Sequence, residues 1–148
     1  MLFRSSPADQ PDRDAWNRAL VDEVATFAPD WVVSAGFMRI LGAAVLDRFA
    51  NRVINTHPAL LPAFPGAHAV RDTLAYGARV TGCTVHLVDA GVDTGPVIAQ
   101  EPVEVWPDDT EGSLHERIKQ VERRLLVDVV DRLSRGSCTV LGREVTIT

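Results

Sequence analysis

Lysine is almost missing from this 148-residue chain: Lys119 is the single one, and arginine supplies the rest of the 15 basic residues. Against 20 acidic residues the formal charge is −5. A net-acidic chain with scattered arginines has no basic face of the kind nucleic acid requires, so nucleic-acid partners are excluded. A small anion held by local dipoles is not. Cysteine is scarce too. Cys83 and Cys138 are too few for a disulfide framework and lack zinc-site spacing, which points to reduced thiols in a cytoplasmic protein. The four histidines show no paired i, i+4 arrangement, so no metal site is expected. No apolar run approaches the ~18–20 residues of a spanning helix, and Met1–Pro7 lacks the apolar centre of a signal peptide. Membrane partners are therefore not expected. What remains is ordinary: 46% hydrophobic and 24% charged residues, suited to a single domain over 1–148.

The chain's punctuation divides it into short elements. Residues 1–13 read as an irregular lead-in rich in Pro, Asp and Ser. Trp16, Leu20, Val24 and Phe27 then recur at helical spacing up to Pro29. Asp30–Gly36 reads as a short strand buried on both faces, because its apolar residues are continuous rather than alternating. Leu41–Phe49 suits a second helix and Arg52–Asn55 a second strand. The prolines of Thr56–His68 exclude helix and central strand there, which leaves an ordered loop. A short helix over Ala69–Tyr76 and two β-rich runs, Val80–Val88 and Pro96–Val105, follow. Leu114, Ile118, Val121, Leu125, Val129 and Leu133 mark the clearest helix, closed at Gly136. Thr139–Leu141 and Glu144–Ile147 suggest a terminal hairpin. Helix and strand alternating at the front predict an α/β sheet whose ligands bind beyond the strand ends, where Gly36 and Asn55 fall.

Asn55 and His57 leave the second strand as Asn-x-His-Pro, and alternation puts both side chains on one side. An amide and an imidazole side by side suit a carbonyl whose oxygen gains negative charge. The same pair also serves as a turn asparagine and a satisfied histidine. Asp93 follows within Gly91-Val92-Asp93-Thr94-Gly95, a loop whose glycines permit close backbone approach to a ligand. A carboxylate beside His57 would favour the protonated ring. An ordinary turn aspartate is the alternative. Gly36–Leu41 reads as a helix opening with free N–H groups, or as a plain strand–helix corner. Glu122 flanks the last helix's apolar stripe, where a solvated glutamate is the plainer reading. His68 either reaches the His57 site or caps the next helix. No serine or cysteine stands with a plausible base, so covalent catalysis is not indicated.

These pieces occur in one order: Gly36-Phe37-Met38-Arg39-Ile40-Leu41, Asn55-Thr56-His57-Pro58, Pro65-Gly66-x-His68, Gly82-Cys83-Thr84-Val85-His86 and Asp93-Thr94-Gly95-Pro96. From about Trp16 to about Leu133 the sequence closely resembles the phosphoribosylglycinamide formyltransferase family. The resemblance implies an α/β, formyltransferase-like, partly parallel sheet with flanking helices and antiparallel C-terminal strands. It implies formyl transfer from 10-formyltetrahydrofolate to the amine of glycinamide ribonucleotide, a step of purine biosynthesis using small-molecule substrates. Asn55, His57 and Asp93 match the family's catalytic trio. Met38, Arg39, Ile40 and Leu41 match the segment that holds the folate's pterin ring, and Asp89, Ala90 and Val92 belong to the loop that closes over it. Glu122 matches a contact to the substrate ribose, Gly36 lines the approach of the amine, and His68 falls in the same substrate region.

The family pattern also has a strand and a glycine-rich phosphate loop ahead of the position matched by Trp16. The fifteen residues before Trp16 here contain no glycine. The expectation is a fold without that N-terminal βαβ portion and without its phosphate cradle. An uncovered sheet edge then predicts self-association. Two other readings follow: a silent folate-binding fragment or scaffold, and an enzyme passing the same formyl group to another acceptor.

Overall fold

The computed structural model describes residues 5–37 and 39–148. The lead-in holds one 3-10 turn, Pro7–Asp9, and Asp12 then caps α1 (Arg13–Ala25) by accepting the Ala15 N–H at 2.7 Å. Next come β1 (Val32–Ser34), α2 (Ala43–Arg48), β2 (Val53–His57), α3 (Ala69–Tyr76), β3 (Val80–Leu87) and β4 (Val97–Glu104). α4 (Glu111–Arg135) and the hairpin β5 (Cys138–Leu141) and β6 (Glu144–Ile147) complete the order. The main sheet runs β1-β2-β3-β4, with β1 and β2 parallel and both later pairings antiparallel. The expected partly parallel sheet with flanking helices is therefore present. No helix among the described residues is long and apolar enough to cross a membrane.

The period-2 pattern of β2 sorts its residues between two faces. Ile54 faces α4 and packs with Val85, Val129 and Leu133, while Val70, Cys83, Val103, Leu114 and Ile118 continue that core. Val53 faces the other way, onto Val45 of α2, Phe49 at its C-cap and the apolar side of α1. Asn55 and His57 share the face of Val53. α4 starts at a capping box between Thr110 and Ser113. Within α4, Arg117 reaches back to grip both oxygens of Asp109, at 2.7 and 2.5 Å, and stacks over the Trp106 ring. That guanidinium holds the Asp109 carboxyl well below the usual carboxylate range. Burial pushes the Cys83 thiol up to about 12, with the Glu122 and Glu101 charges adding to it. Cys83 is a core residue rather than a nucleophile.

Two local expectations need correction. β1 is not buried on both faces: it is the outer strand of this sheet among the described residues, and Val33 is 41% exposed. Gly36–Leu41 does not open a helix either, since α2 starts only at Ala43. Its described residues, and Gly42 after them, are instead held by α1. Arg13 donates to the Ile40 carbonyl at 2.8 Å, Asn17 accepts the Gly42 N–H at 3.0 Å, and Trp16 stacks on Phe37. Helical hydrogen bonding is replaced by contacts to another element, which local propensity does not reveal.

Ile118 is fully buried at the centre of the α4–sheet contact. Truncating it to alanine loses transfer energy and leaves a cavity. Ile118→Ala is expected to lower unfolding stability by about 2–5 kcal/mol, read from urea denaturation followed by circular dichroism.

Candidate active site

β2 and β3 pair antiparallel so that Asn55 lies opposite His86, and His57 opposite Thr84. Residues directly opposite share a face, so this register puts the two histidines and the amide together. Asp93 arrives from the β3–β4 connection with φ +54, a left-handed conformation that aspartate adopts more readily than bulky residues. Within that connection Asp89 Oδ1 accepts the Gly91 N–H at 3.0 Å and the Thr94 hydroxyl at 2.5 Å, which fixes the turn.

The Asp93 carboxylate lies between the two histidines. Its Oδ2 is 3.3 Å from His57 Nδ1, and its Oδ1 is 3.6 Å from His86 Nε2. Oδ2 also accepts the Gly66 N–H at 2.8 Å. His57 is almost wholly buried, and its Nε2 donates to the Phe64 carbonyl at 2.7 Å. A carbonyl only accepts, so this contact puts a proton on Nε2 and turns Nδ1 toward Asp93. His86 Nδ1 likewise donates to the Leu87 carbonyl at 2.9 Å. In the neutral ring His86 Nε2 is then an acceptor, and the Asn55 amide nitrogen is 3.4 Å from it. That contact orients the Asn55 amide. Burial lowers the His86 pKa, against raising contributions from the Leu87 carbonyl and the Asp93 charge.

Beside this cluster opens a cleft of about 640 Å³. Asn55, His57 and Asp93 line it, as do Gly36, Arg39, Ile40, Leu41, Asp89, Val92 and Glu122. Three expected residues stand apart. Met38 lies outside the described residues. Ala90 is exposed and is not among the lining residues. His68 is the exposed N-cap of α3, makes no side-chain capping bond and does not line the cleft. Sequence reasoning missed His86 as a site residue, although pairing Asn-Thr-His with Thr-Val-His across an antiparallel register would have found it. It also missed the Phe64 carbonyl, a backbone group, and the wall formed by His115, Lys119 and Arg123 of α4. Among the described residues no group of three His, Cys, Asp or Glu could hold a metal ion.

The His86 shift makes a stability prediction. Unfolded His86 binds its proton around pH 6.5, whereas the buried ring resists it until lower pH. The unfolded state then holds more protons, so the contribution of neutral His86 is complete above that pH and erodes as pH falls below it. The urea midpoint is expected to drop between about pH 7.5 and about pH 5.5, and His86→Gln is expected to remove part of that drop. Equal slopes in the two proteins would refute the assignment.

Residues 4–130 match the family model described as formyl transferase. A phosphoribosylglycinamide formyltransferase of Mycobacterium tuberculosis is 61% identical over 146 residues, covering 99% of this chain and 68% of that protein. The Bacillus subtilis enzyme of the same name is 36% identical over 131 residues, covering 88% of this chain and 67% of its own. Among solved structures, glycinamide ribonucleotide transformylase 1 of Symbiobacterium toebii superposes with a TM-score of 0.93 at 42% identity, covering 96% of this chain and 67% of that one. The chain thus spans about two thirds of the length of these relatives. With the match running through the strands and loops that build the cleft, the chain belongs to the formyl transferase family, among the phosphoribosylglycinamide formyltransferases.

Proposed function

We propose that this protein transfers the formyl group of 10-formyltetrahydrofolate to the amine of glycinamide ribonucleotide, in purine biosynthesis. The observation that carries the reading is the convergence of Asn55, His57 and Asp93 on one wall of a cleft whose other walls differ in character. Phe37, Ile40, Leu41, Val88 and Val92 offer apolar surface suited to a flat heterocycle. His115, Lys119 and Arg123 offer basic groups suited to a phosphate ester, with Glu122 between them for ribose hydroxyls.

In the reaction the amine nitrogen attacks the formyl carbon. The carbonyl π electrons move to oxygen, giving a tetrahedral species with a negative oxygen and a positive nitrogen. One amide N–H of Asn55 is engaged with His86, which leaves the second for that oxygen. A proton on His57 Nδ1 is available to the same oxygen or to Asp93. Asp93 accepts the proton that the attacking nitrogen sheds, directly or through water. Collapse re-forms the carbonyl and expels the folate N10, which takes the proton that Asp93 had accepted, returning the carboxylate to its starting form. The fixed positions of Asn55 and His57 supply preorganised donors, each worth about 3–4 kcal/mol in comparable sites. Alignment of two bound substrates contributes the remainder without a covalent enzyme intermediate.

The direct test follows deformylation of 10-formyltetrahydrofolate by the purified chain with and without glycinamide ribonucleotide. Acceptor-dependent turnover is expected. Turnover without acceptor would indicate a hydrolase, and folate binding without turnover a silent binding fragment. His57→Ala is expected to lower kcat by about 10²–10³-fold while a folate analogue still binds, measured by calorimetry. Joint loss of binding and turnover would count against its role as donor. Asp93→Asn is expected to cost about 10²-fold in kcat with KM nearly unchanged in steady-state kinetics. A wild-type rate would remove Asp93 from the proton path.

A further inference from the structure

The loop of residues 58–66 supplies two backbone groups to the site: the Phe64 carbonyl on His57 and the Gly66 N–H on Asp93. Phe64 has a positive φ, +51, which a bulky residue does not prefer by default, while Gly66 at +93 is a glycine that adopts such a φ freely. Something must hold it there. The restraint lies in the sheet beneath the loop. His57, Thr84 and Gln100 are consecutive partners across β2, β3 and β4, so their side chains share one face. Thr84 is fully buried; its hydroxyl donates to the Ala59 carbonyl at 2.7 Å and accepts the Leu61 N–H at 3.1 Å. Gln100 Nε2 donates to the Leu61 carbonyl at 2.8 Å and lies 3.0 Å from the Thr84 hydroxyl. Both backbone groups of Leu61 are thereby tied to side chains of the sheet. Gly82 permits the close approach: a Cβ there would stand 2.7 Å from Leu60 Cδ2 and 2.2 Å from the Glu101 carbonyl oxygen.

We propose that Gln100 is a positioning residue for formyl transfer, acting through Leu61 and Thr84 to keep the Phe64 carbonyl on His57 and the Gly66 N–H on Asp93. It lies on none of the cleft walls and touches no reacting atom. Its action is mechanical. Without the amide donor the buried Leu61 carbonyl loses its side-chain partner, and a loop with a released carbonyl shifts to find water. The shift propagates along five residues to the two groups that set the His57–Asp93 geometry. A site held to within a fraction of an ångström loses rate when its support moves.

The kinetic part of the test rests on the formyl-transfer reading, while the spectroscopic part does not. Gln100→Leu removes the donor. Gln100→Glu keeps the shape, replaces the donor with an acceptor, and serves if the leucine variant does not fold. Gln120→Leu, on α4 and away from the loop, is the comparison for handling and stability. The expected result has three parts: about tenfold faster amide exchange at Leu61, Ala63, Phe64 and Gly66; a displaced ¹⁵N resonance for the His57 ring, assigned with His57→Ala; and about tenfold lower kcat with KM for both substrates within about twofold. A folded Gln100 variant with wild-type His57 resonances and wild-type kcat overturns the proposal. A general loss of stability with unchanged kcat per folded molecule also overturns it, because that is what a purely structural glutamine would show. If the wild-type chain has no turnover, the formyl-transfer reading fails by itself, and the His57 resonances still decide whether Gln100 positions the ring.

Discussion

Two groups from separate segments pair with the Asp93 carboxylate, the His57 ring at 3.3 Å and the Gly66 N–H at 2.8 Å, and the His86 ring lies alongside at 3.6 Å. A half-buried carboxylate is tolerable only where partners replace the water it has lost. Much of the local structure follows from that requirement. The β3–β4 connection must turn through a positive φ at Asp93 itself. The proline-rich loop must end with its Gly66 N–H pointing inward. β2 and β3 must hold a register that sets His57 and His86 two residues apart along the same face. A slip of one residue between the two strands would put the rings on opposite faces of the sheet, so that one carboxylate could no longer lie beside both.

The sheet's two faces are covered differently, and this makes a polar site possible. α4 lies along one face with a stripe of buried Leu, Ile and Val, and such a surface leaves no hydrogen-bonding capacity for polar residues. On the other face α1 and α2 pack against the β1 side, while the proline-rich loop covers β2 and β3 near the site. A loop brings unpaired backbone N–H and C=O groups, which a helix would have consumed internally. Asn55, His57, Thr84, His86 and Gln100 all lie on this second face. Loop backbone satisfies the buried polar side chains there, Phe64 for His57 and Ala59 with Leu61 for Thr84, and the Leu61 carbonyl also accepts from the exposed Gln100.

Elements whose pattern is decided locally were legible in the sequence. The apolar stripe of α4, the β3 and β4 runs and the α3 segment correspond closely to what forms. Failures occurred where another part of the chain decides. The apolar run of β1 looks like a central strand, yet Val33 is exposed, because α4 packs on β3 and β4 and no described core cluster includes Val33. Gly36–Leu41 looks like a helix start until Arg13 of α1 takes the Ile40 carbonyl and Asn17 the N–H of Gly42 just beyond. The site shows the same division. Asn55, His57 and Asp93 could be singled out because they are chemically conspicuous and fall where the resemblance implied a trio, and the fold brings them together. His86 depends on strand register, and the Phe64 carbonyl has no side chain to announce it.

The hydrogen bonds around the two histidines narrow what each can do. His57 Nε2 is committed to a carbonyl at 2.7 Å, so ring chemistry is confined to Nδ1, the nitrogen that faces Asp93. His86 Nδ1 is committed to Leu87, and burial disfavours its charged form, which leaves Nε2 as an acceptor for Asn55. One imidazole therefore turns its uncommitted nitrogen to the carboxylate, while the other turns its own to an amide in a site whose burial disfavours the charged ring. Two residues of the same type take opposite tasks because each ring is oriented by a different backbone carbonyl. The division of labour is thus set by Phe64 and Leu87, neither of which contributes a side chain to the chemistry.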